Sequence, residues 1–456
     1  MTMIPSRCLT RPPGPGPAPA RYRSPQGSAI APVPCEIRRR RKTENRKPNT
    51  EHSSHELPMP PFSGVDFYDL DEFLSPADRD LRHRVRNWVE QRYLPLIRSH
   101  YAAGTFPFEV VPEVAGLGAF GGNIRGYGCA GLSSLAYGLV MQELERGDSG
   151  LRTLASVQGA LAMNAIHEFG SDDQKNRWLP AMAQGRQLGC FALTEPDFGS
   201  NPAGLTTTAR KTPGGYVLNG EKKWIGLASL ADVAVVWAKL EGEPGVDPAS
   251  PQAIRGFLVE RGTLGFEPRN IEGKLSMRAA VVCEISFHDC QLPPTALLPG
   301  SNGLKSPLRC LNHARYGIAW GVLGAAMACF EEAREYAGQR LQFDRPIAAF
   351  QLVQRKLALM LTELTKAQLL ALRLAQLKDA GRATHVQISM AKRNNVEMAL
   401  DIARTTRDIL GGVGILDEFQ CFRHLCNLES VKTYEGTDDM HLLILGEKIT
   451  GIAAYS

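Results

Sequence analysis

Residues 216–225 read YVLNGEKKWI, in which two runs of β-forming residues flank an Asn-Gly pair. Asn-Gly between such runs is a strong signal for a two-residue hairpin turn, because both residues tolerate a positive φ. The stretch therefore predicts a β-hairpin that turns at Asn219-Gly220. It lies in the middle of a chain whose two ends carry helical patterns, so it decides that the fold is not all-α.

Further short apolar runs follow this stretch and predict more strands. Residues 233–237 read VAVVW, which is typical of a buried strand. Residues 257–259 and 283–287 are two further runs of this kind. We therefore expect a domain of short antiparallel strands between residues 184 and 300.

Helical patterns occupy the chain on both sides of the β domain. Ser75-Pro76 predicts a helix start, because serine caps a helix N-terminus and proline suits the first helical position. On the C-terminal side, long amphipathic segments predict a helical bundle. The predicted helices are 135–145, 158–169, 316–338, 350–380 and 385–410.

This order of elements predicts an α+β fold. Residues 59–183 are expected to form an N-terminal helical domain, residues 184–300 the β domain, and residues 301–456 a C-terminal four-helix bundle. No Gly-x-Gly-x-x-Gly segment follows a predicted strand. The pattern therefore excludes a doubly wound dinucleotide-binding fold.

The composition is that of an ordinary globular protein, with 43% hydrophobic and 22% charged residues. No apolar run approaches the length of a membrane span. The ten cysteines lack CxxC spacing, which argues against a metal site and against a disulfide framework. The formal net charge is +5, but residues 1–58 hold eleven Lys and Arg against four Glu. The rest of the chain therefore gives no reason to expect nucleic-acid binding.

Residues 1–58 are rich in Pro, Arg, Ser and Gly and include the run RRRRK at 38–42. Such a segment cannot bury enough apolar surface to offset chain entropy, so it is expected to be disordered. Three interpretations remain open: an over-long reading frame whose native start is Met59, an organelle transit peptide, and a nucleic-acid-binding arm. We expect a bacterial cytoplasmic location, or the mitochondrial matrix if this tail is a transit peptide.

Near the C-terminus, residues 434–437 read Tyr-Glu-Gly-Thr. A carboxylate in such a tight segment can act as a catalytic base. Glycine lets the backbone come close to a flat ligand, because it has no Cβ. A surface turn after a helix is the alternative that these residues alone leave open.

Five segments together resemble those of the acyl-CoA dehydrogenases. They are LTEPDFGS at 193–200, KWI at 223–225, RLQF at 340–343 with Gln351, LGG at 410–412, and YEGT at 434–437. The resemblance covers about residues 60–456. It implies the helical, β and helical-bundle domains of that family, FAD as the cofactor, and α,β-dehydrogenation of an acyl-CoA thioester.

Three more segments resemble the glutaryl-CoA dehydrogenases within that family. They are GYGCAGLSS at 126–134, ELERGDSGLR at 143–152, and NHARYGIAWG at 312–321. This resemblance implies oxidative decarboxylation of glutaryl-CoA to crotonyl-CoA. The alternative is a short-chain dehydrogenase or oxidase for an uncharged acyl-CoA.

The resemblance assigns Glu435 as the base that removes the α-proton, with its backbone N–H helping to hold the thioester oxygen. Arg152 is expected to pair with a distal carboxylate, oriented by Glu145, which lies two helical turns earlier if the segment is helical. Expected substrate contacts are Glu145, Arg152, Ser156, Ser200, Arg315, Tyr434 and Gly436.

Two sets of residues are expected to bind FAD. One lies by the flavin ring, and the other reaches the pyrophosphate and adenine of a neighbouring subunit's FAD. The first set is Phe191, Leu193, Thr194, Trp224, Gly226 and Thr437, and the second is Arg340, Gln342, Phe343, Gln351, Asp408 and Gly412.

Gly226 departs from the family, which usually carries a hydroxyl residue that bonds the flavin at this point. Its presence leaves oxygen open as an electron acceptor. The partners that the resemblance implies are an acyl-CoA, an electron-transfer flavoprotein and three further copies of the chain in a homotetramer.

Overall fold

The computed structural model describes residue 62 and residues 64–455. The predictions for residues 1–58 and for a start at Met59 therefore lie outside the described residues. The order of elements is helices, then strands, then helices, as the sequence predicts.

The N-terminal helices begin at the predicted cap. The Ser75 side chain accepts a hydrogen bond from the Asp78 N–H, and the Asp78 side chain bonds back to the Ser75 N–H. The helices are α1 Pro76–Trp88, α2 Leu94–Ala103, α3 Val111–Gly116, α4 Ser134–Gly147, α5 Ser149–Ala155, α6 Asn164–Phe169 and α7 Asp172–Ala183. Two π-helical stretches, Val89–Tyr93 and Ser156–Met163, join α1 to α2 and α5 to α6.

The strands form a sheet in the order β1-β4-β2-β3-β7-β6, with β5 paired to β4. They are β1 Gly189–Ala192, β2 Thr208–Thr212, β3 Gly215–Gly226, β4 Val233–Glu241, β5 Ile254–Glu260, β6 Phe266–Asn270 and β7 Val282–Leu292. The sheet is mixed, so the expectation of antiparallel pairing throughout is wrong. β4 runs parallel to both β1 and β2, because the chain crosses over after β3 before β4 begins.

The predicted hairpin turn at Asn219-Gly220 is also wrong. The hairpin joins β2 to β3 and turns at residues 213–214, so that Thr212 pairs with Gly215. Asn219 and Gly220 lie inside β3, where the pairing with β7 shifts register. Gly220 has a φ of 140°, and a Cβ there would come within 2.6 Å of Thr207 Oγ1. The glycine is therefore required for a bulge beside β2.

The two faces of the sheet pack into two different cores. Phe191 on β1, with Val235 and Trp237 on β4, contributes to the core that the helices share. The alternate residues, such as Ala192 and Val236, belong to a separate core within the β domain. Successive strand residues face opposite sides of the sheet. Phe191 of β1 and Leu193, which follows it, therefore face the helices, whereas Cys190 and Ala192 face the core of the β domain.

The C-terminal domain is a helical bundle, as predicted. α8 Lys305–Gln339, α9 Gln351–Asp379 and α10 His385–Leu410 are long, and α11 Cys421–Thr433 and α12 Asp438–Thr450 follow. A short hairpin connects α8 to α9. Its two strands, of two residues each, are β8 Leu341–Gln342 and β9 Arg345–Pro346. α10 packs against α8, α9, α11 and α12. Within the described ranges, the structure contains no helix that is long and apolar enough to cross a membrane.

Glycines on α8 permit a close crossing with α4. A Cβ at Gly324 would overlap the backbone carbonyl oxygen of Gln142, and one at Gly321 would overlap the Glu145 carboxylate. A Cβ at Gly138 of α4 would fall within 2.7 Å of the Trp320 ring. This crossing fixes the N-terminal helical domain against the bundle and places α4 at the candidate active site.

We expect Gly324→Ala to lower the free energy of unfolding by about 3 kcal/mol or more, because a backbone carbonyl cannot move aside as a side chain can. Gly338→Ala on the same helix is the matched control, since nothing lies within 4 Å of its added Cβ. The control should be neutral or stabilising by about 0.5–1 kcal/mol. Denaturant unfolding of both variants measures the difference, and equal midpoints would show that the crossing is not tight.

Candidate active site

Glu435 lies in a tight loop between α11 and α12. The loop spans residues 434–437, and Thr437 caps α12 by accepting a hydrogen bond from the Met440 N–H. Glu435 has a φ of 55°, a left-handed conformation that is uncommon for a residue other than glycine. The surrounding structure must therefore hold this residue in place.

Two cationic side chains from the bundle hold the loop by its carbonyl oxygens. Arg315 Nε on α8 donates to the Glu435 carbonyl at 2.8 Å. Lys392 Nζ on α10 donates to the carbonyls of Tyr434 at 3.2 Å and Gly436 at 2.9 Å. The structure thus brings Arg315 and Lys392 to the segment that contains Glu435, whereas the expected substrate contacts of Arg315, Tyr434 and Gly436 stay predictions.

The Glu435 carboxylate is desolvated on one side. Its Oε2 is buried and has no hydrogen-bond partner among the described residues. Burial raises the pKa of Glu435, and the charges of Arg152, Arg315 and Lys392 partly oppose that rise. A carboxyl with a raised pKa and a free oxygen has the properties of a proton acceptor.

Arg152 and Glu145 form a fully buried ion pair next to this loop. Arg152 Nε donates to Glu145 Oε2 at 2.8 Å, and both side chains have 0% exposure. The two residues do not lie on one continuous helix. α4 ends at Gly147 and α5 begins at Ser149, with Asp148 between them in an extended conformation. The predicted contact is therefore present, but a break between two helices produces it.

The guanidinium of Arg152 also reaches the 434–437 loop. Its Nη2 donates to the Tyr434 hydroxyl. Burial acts to lower the pKa of Arg152, but Glu145, Tyr434 and Glu435 together outweigh burial and raise it, so the guanidinium stays charged. Within the described part of the chain, buried polar atoms near this pair lack partners: Arg152 Nη1, Glu145 Oε1 and Ser156 Oγ. Unpaired buried donors are costly, so Arg152 Nη1 and Ser156 Oγ favour a ligand that accepts hydrogen bonds.

Predicted flavin-ring residues meet where β1 and β3 end. The Lys223 N–H donates to the Thr194 carbonyl at 2.9 Å, and the buried Lys222 Nζ donates to the Leu193 carbonyl at 3.0 Å. Lys222 also pairs with the buried Glu195 at 2.8 Å. Trp224 follows directly and is 58% exposed.

Gly226 faces the π-helical stretch rather than open space. A Cβ at this position would lie 3.1 Å from Val157 Cγ2. A larger residue at 226 therefore requires Val157 to move. Phe191, in contrast, packs against Trp237 with ring centroids 5.8 Å apart, so its ring is part of the shared core.

A second group of predicted cofactor residues lies at the opposite end of the bundle. These residues are exposed, and they sit where α8 ends, α9 begins and α10 ends: Arg340, Gln342, Phe343, Gln351, Asp408 and Gly412. Asp408 follows Lys392 by sixteen residues on α10, which is about 24 Å along a helix. The Asp408 carboxylate pairs with Lys356 of α9. Ser200 is exposed.

Lys392 was not predicted, although one signal was present. It stands on the apolar stripe of α10, four residues after Ile388 and seven before Ala399, where both neighbours are buried. A lysine on such a stripe is rarely buried without a polar partner. Lys222 and Glu195 carried no comparable signal, because their contact joins separate parts of the chain.

Models of one family match all three domains of the chain. The descriptions are "Acyl-CoA dehydrogenase, N-terminal domain" at residues 75–186, "middle domain" at 190–290 and "C-terminal domain" at 301–450. The chain belongs to the acyl-CoA dehydrogenase family. The helical, β and helical domains of the fold are those that membership implies.

Solved structures and a curated relative agree with this membership. A glutaryl-CoA dehydrogenase from Mycobacterium smegmatis is 50% identical, with 86% of this chain and 100% of that chain covered and a TM-score of 0.83. A structure of a glutaryl-CoA dehydrogenase from the same organism in complex with FADH2 is 47% identical, with 86% of this chain and 99% of that chain covered and a TM-score of 0.83. The human mitochondrial short-chain specific acyl-CoA dehydrogenase is 34% identical over 80% of this chain and 88% of its own length.

The residues present fit FAD, the cofactor of acyl-CoA dehydrogenases. The exposed Trp224 ring offers an apolar face next to the Leu193–Thr194 backbone. At Gly226, the atoms within 4 Å of an added Cβ all belong to the Val157 side chain. Glu435 Oε2 is buried without a hydrogen-bond partner among the described residues, so it is free to interact with a bound ligand.

Proposed function

We propose that this acyl-CoA dehydrogenase oxidises and decarboxylates glutaryl-CoA to crotonyl-CoA. The observation that carries the proposal is the buried Arg152, whose Nη1 has no partner among the described residues while its Nη2 bonds Tyr434 of the catalytic loop. Glu145 already pairs with the guanidinium through Nε, but a buried donor such as Nη1 is costly unless an acceptor meets it, and an anionic acceptor forms the stronger hydrogen bond. The terminal carboxylate of a short dicarboxylic acyl group would supply that anion.

Glu435 acts as the base. Its carboxylate takes a proton from the α-carbon of the thioester, and the Glu435 N–H helps to hold the thioester oxygen as negative charge develops there. Arg315 and Lys392 hold the loop by its carbonyls, so the carboxylate does not have to be ordered at the moment of reaction. FAD, when bound, accepts the hydride that leaves the β-carbon.

Decarboxylation follows from the position of the substrate's carboxylate. Once the α,β double bond has formed, the carboxylate on the γ-carbon leaves as CO2, and its electron pair enters the conjugated thioester. The protonated Glu435 then returns a proton to that carbanion, which gives crotonyl-CoA. Arg152 and Ser156 orient the carboxylate until it leaves, and Glu145 keeps the guanidinium in place.

FAD would be held by Leu193, Thr194 and Trp224 along the ring. Arg340 and Gln342 would serve the FAD of a neighbouring subunit, because they are exposed at the far end of the bundle. Such sharing would require at least one further copy of the chain, and a homotetramer is the assembly that we propose. An electron-transfer flavoprotein is the proposed acceptor of the electrons.

Turnover of three CoA esters tests the proposal. Glutaryl-CoA carries the carboxylate, glutaramyl-CoA replaces it with an isosteric amide, and butyryl-CoA lacks the group. We expect kcat/KM for glutaryl-CoA to exceed that for the amide by about 100-fold or more, since only the carboxylate pairs with the guanidinium. Equal values for the acid and the amide would refute the role of Arg152.

The second candidate is a short-chain enzyme that acts on an uncharged acyl-CoA. The 34% identity to a short-chain dehydrogenase and the glycine at position 226 favour it. If Gly226 admits oxygen, the enzyme forms hydrogen peroxide in air with butyryl-CoA. Peroxide formation as fast as the anaerobic reduction of an electron-accepting dye would support an oxidase. The absence of peroxide would support a dehydrogenase.

The pH dependence should report the ionisation of Glu435. Since burial raises the pKa of Glu435 above its ordinary value of 4.5, the protonated, inactive form persists to a higher pH than usual. We expect log kcat/KM to fall with unit slope as pH decreases through that raised pKa. The protein's circular dichroism should stay constant over the same range. A rate that stays flat down to pH 4.5 would contradict a buried Glu435 as the base.

A further inference from the structure

We propose that Lys392 is a positioning residue of the catalytic loop, holding Glu435 in its left-handed conformation by binding the carbonyls on either side of it. The inference deepens the proposed function, because it rests on Glu435 being the base. Lys392 itself does not touch the reacting atoms.

Three consecutive carbonyls of the loop are held by two side chains. Lys392 Nζ binds the Tyr434 and Gly436 oxygens, and Arg315 Nε binds the Glu435 oxygen between them. Arg315 comes from α8 and Lys392 from α10, so the loop is fixed from two helices. Removal of Lys392 would leave two of the three carbonyls without these donors.

The backbone of the loop needs this restraint. Glu435 has a φ of 55° and Gly436 one of 98°, so two successive residues are left-handed. Gly436 has little room to adjust, because a Cβ there would lie 3.0 Å from His441 Nε2 and 3.3 Å from Arg315 Nη2. Without the ammonium group, the chain can relax towards an ordinary turn that points the carboxylate elsewhere.

Lys392 is nearly fully buried, with 1% exposure, and its hydrogen bonds go to backbone carbonyls rather than to a carboxylate. The charged groups that face it are Glu435 on the loop, Arg315 on α8, Asp438 on α12 and Arg152 on α5. His441 of α12 also lies near it. Asp438 is itself paired with Arg393. Glu435 is therefore the carboxylate whose ionisation depends most on the charge of Lys392.

The charge of Lys392 therefore has a second effect. It favours the ionised form of Glu435 and works against the rise in the Glu435 pKa that burial causes. Burial lowers the pKa of Lys392 to about 7. A purely structural lysine would leave the ionisation of the base unchanged, and this difference makes the proposal testable.

Two variants separate the hydrogen bonds from the charge. Lys392→Met removes both, whereas Lys392→Gln keeps an amide donor and removes only the charge. Lys366→Met is the matched control, because Lys366 is an exposed lysine on the neighbouring helix α9. All are prepared as the FAD-loaded enzyme, with FAD content and thermal midpoint measured alongside.

The probe is 3-thiaglutaryl-CoA, which carries sulfur in place of the β-carbon. It can lose the α-proton but has no β-hydride to transfer, so the long-wavelength band of its anion against oxidised flavin reports proton removal alone. If the enzyme prefers uncharged chains, 3-thiabutyryl-CoA is used instead. The pH at which half of the band forms then measures the ionisation of Glu435.

We expect both Lys392 variants to shift that midpoint upwards by about one pH unit. Lys392→Met should also lower kcat at its best pH by about 100-fold with KM little changed, while Lys392→Gln recovers most of that loss. Midpoints equal to that of Lys366→Met in both variants would overturn the proposal. If Glu435→Gln still forms the full band, the proposed function itself fails; if it forms none while Lys392→Met behaves as the control, only the present inference fails.

Discussion

Glu435→Gln is expected to lower kcat by about 10³-fold or more, because the amide cannot accept the α-proton while it preserves the shape of the side chain. The loop should keep its conformation, since its restraints act on backbone carbonyls. Stopped-flow measurement of flavin reduction by the acyl-CoA substrate gives the rate of the chemical step directly.

The size of this effect follows from what surrounds Glu435. The charged side chains that perturb it most are cations, namely Arg152, Arg315 and Lys392. The nearby Glu145 is already bonded to Arg152. The described residues therefore offer no ready replacement for the base. FAD content and affinity for crotonyl-CoA serve as controls, and a variant that loses less than tenfold would show that another group removes the proton.

Removal of Arg152 is expected to change the substrate preference rather than to abolish activity. Without the guanidinium, the carboxylate of glutaryl-CoA would be buried without a partner, which costs about 2–5 kcal/mol. We expect kcat/KM for glutaryl-CoA to fall by about 10³-fold and that for butyryl-CoA to stay within about tenfold of the native value. Steady-state assays with both esters measure the ratio.

The choice of variant matters because Glu145 has 0% exposure. Arg152→Met alone would leave the Glu145 carboxylate charged and buried, which destabilises a protein by about 3–5 kcal/mol. Glu145→Gln combined with Arg152→Met removes both charges and is the preferred variant. Arg86→Met offers a comparison, since it breaks a partly buried ion pair, in which only Glu143 is fully buried. An unchanged ratio of the two esters in the double variant would contradict the role given to Arg152.

Features that depend on residues close together in the sequence were predictable from the sequence alone. The Ser75 cap and the span of α10 follow from local signals, and the structure confirms both. The assembly of Arg152, Arg315 and the 434–437 loop was predictable only through resemblance, because these residues come from separate helices.

The failures have physical reasons. Asn219-Gly220 has the residues of a turn, but a glycine with positive φ serves a bulge equally well, and only the pairing with β7 distinguishes the two. Parallel pairing of β4 depends on a crossover that strand patterns do not encode. The seven-residue spacing from Glu145 to Arg152 would place both on one face if the segment were a single helix, whereas the contact forms across the break at Asp148.

Removal of a hydride and of CO2 from a dicarboxylic acyl-CoA is the reaction that we propose for this enzyme. Anaerobic mixing of the purified FAD enzyme with glutaryl-CoA, with flavin absorbance followed and the products analysed, tests it most directly. We predict bleaching of the flavin together with one crotonyl-CoA and one CO2 for each flavin reduced. Bleaching by butyryl-CoA but not by glutaryl-CoA would contradict the claim and would leave the buried Arg152 without its proposed partner.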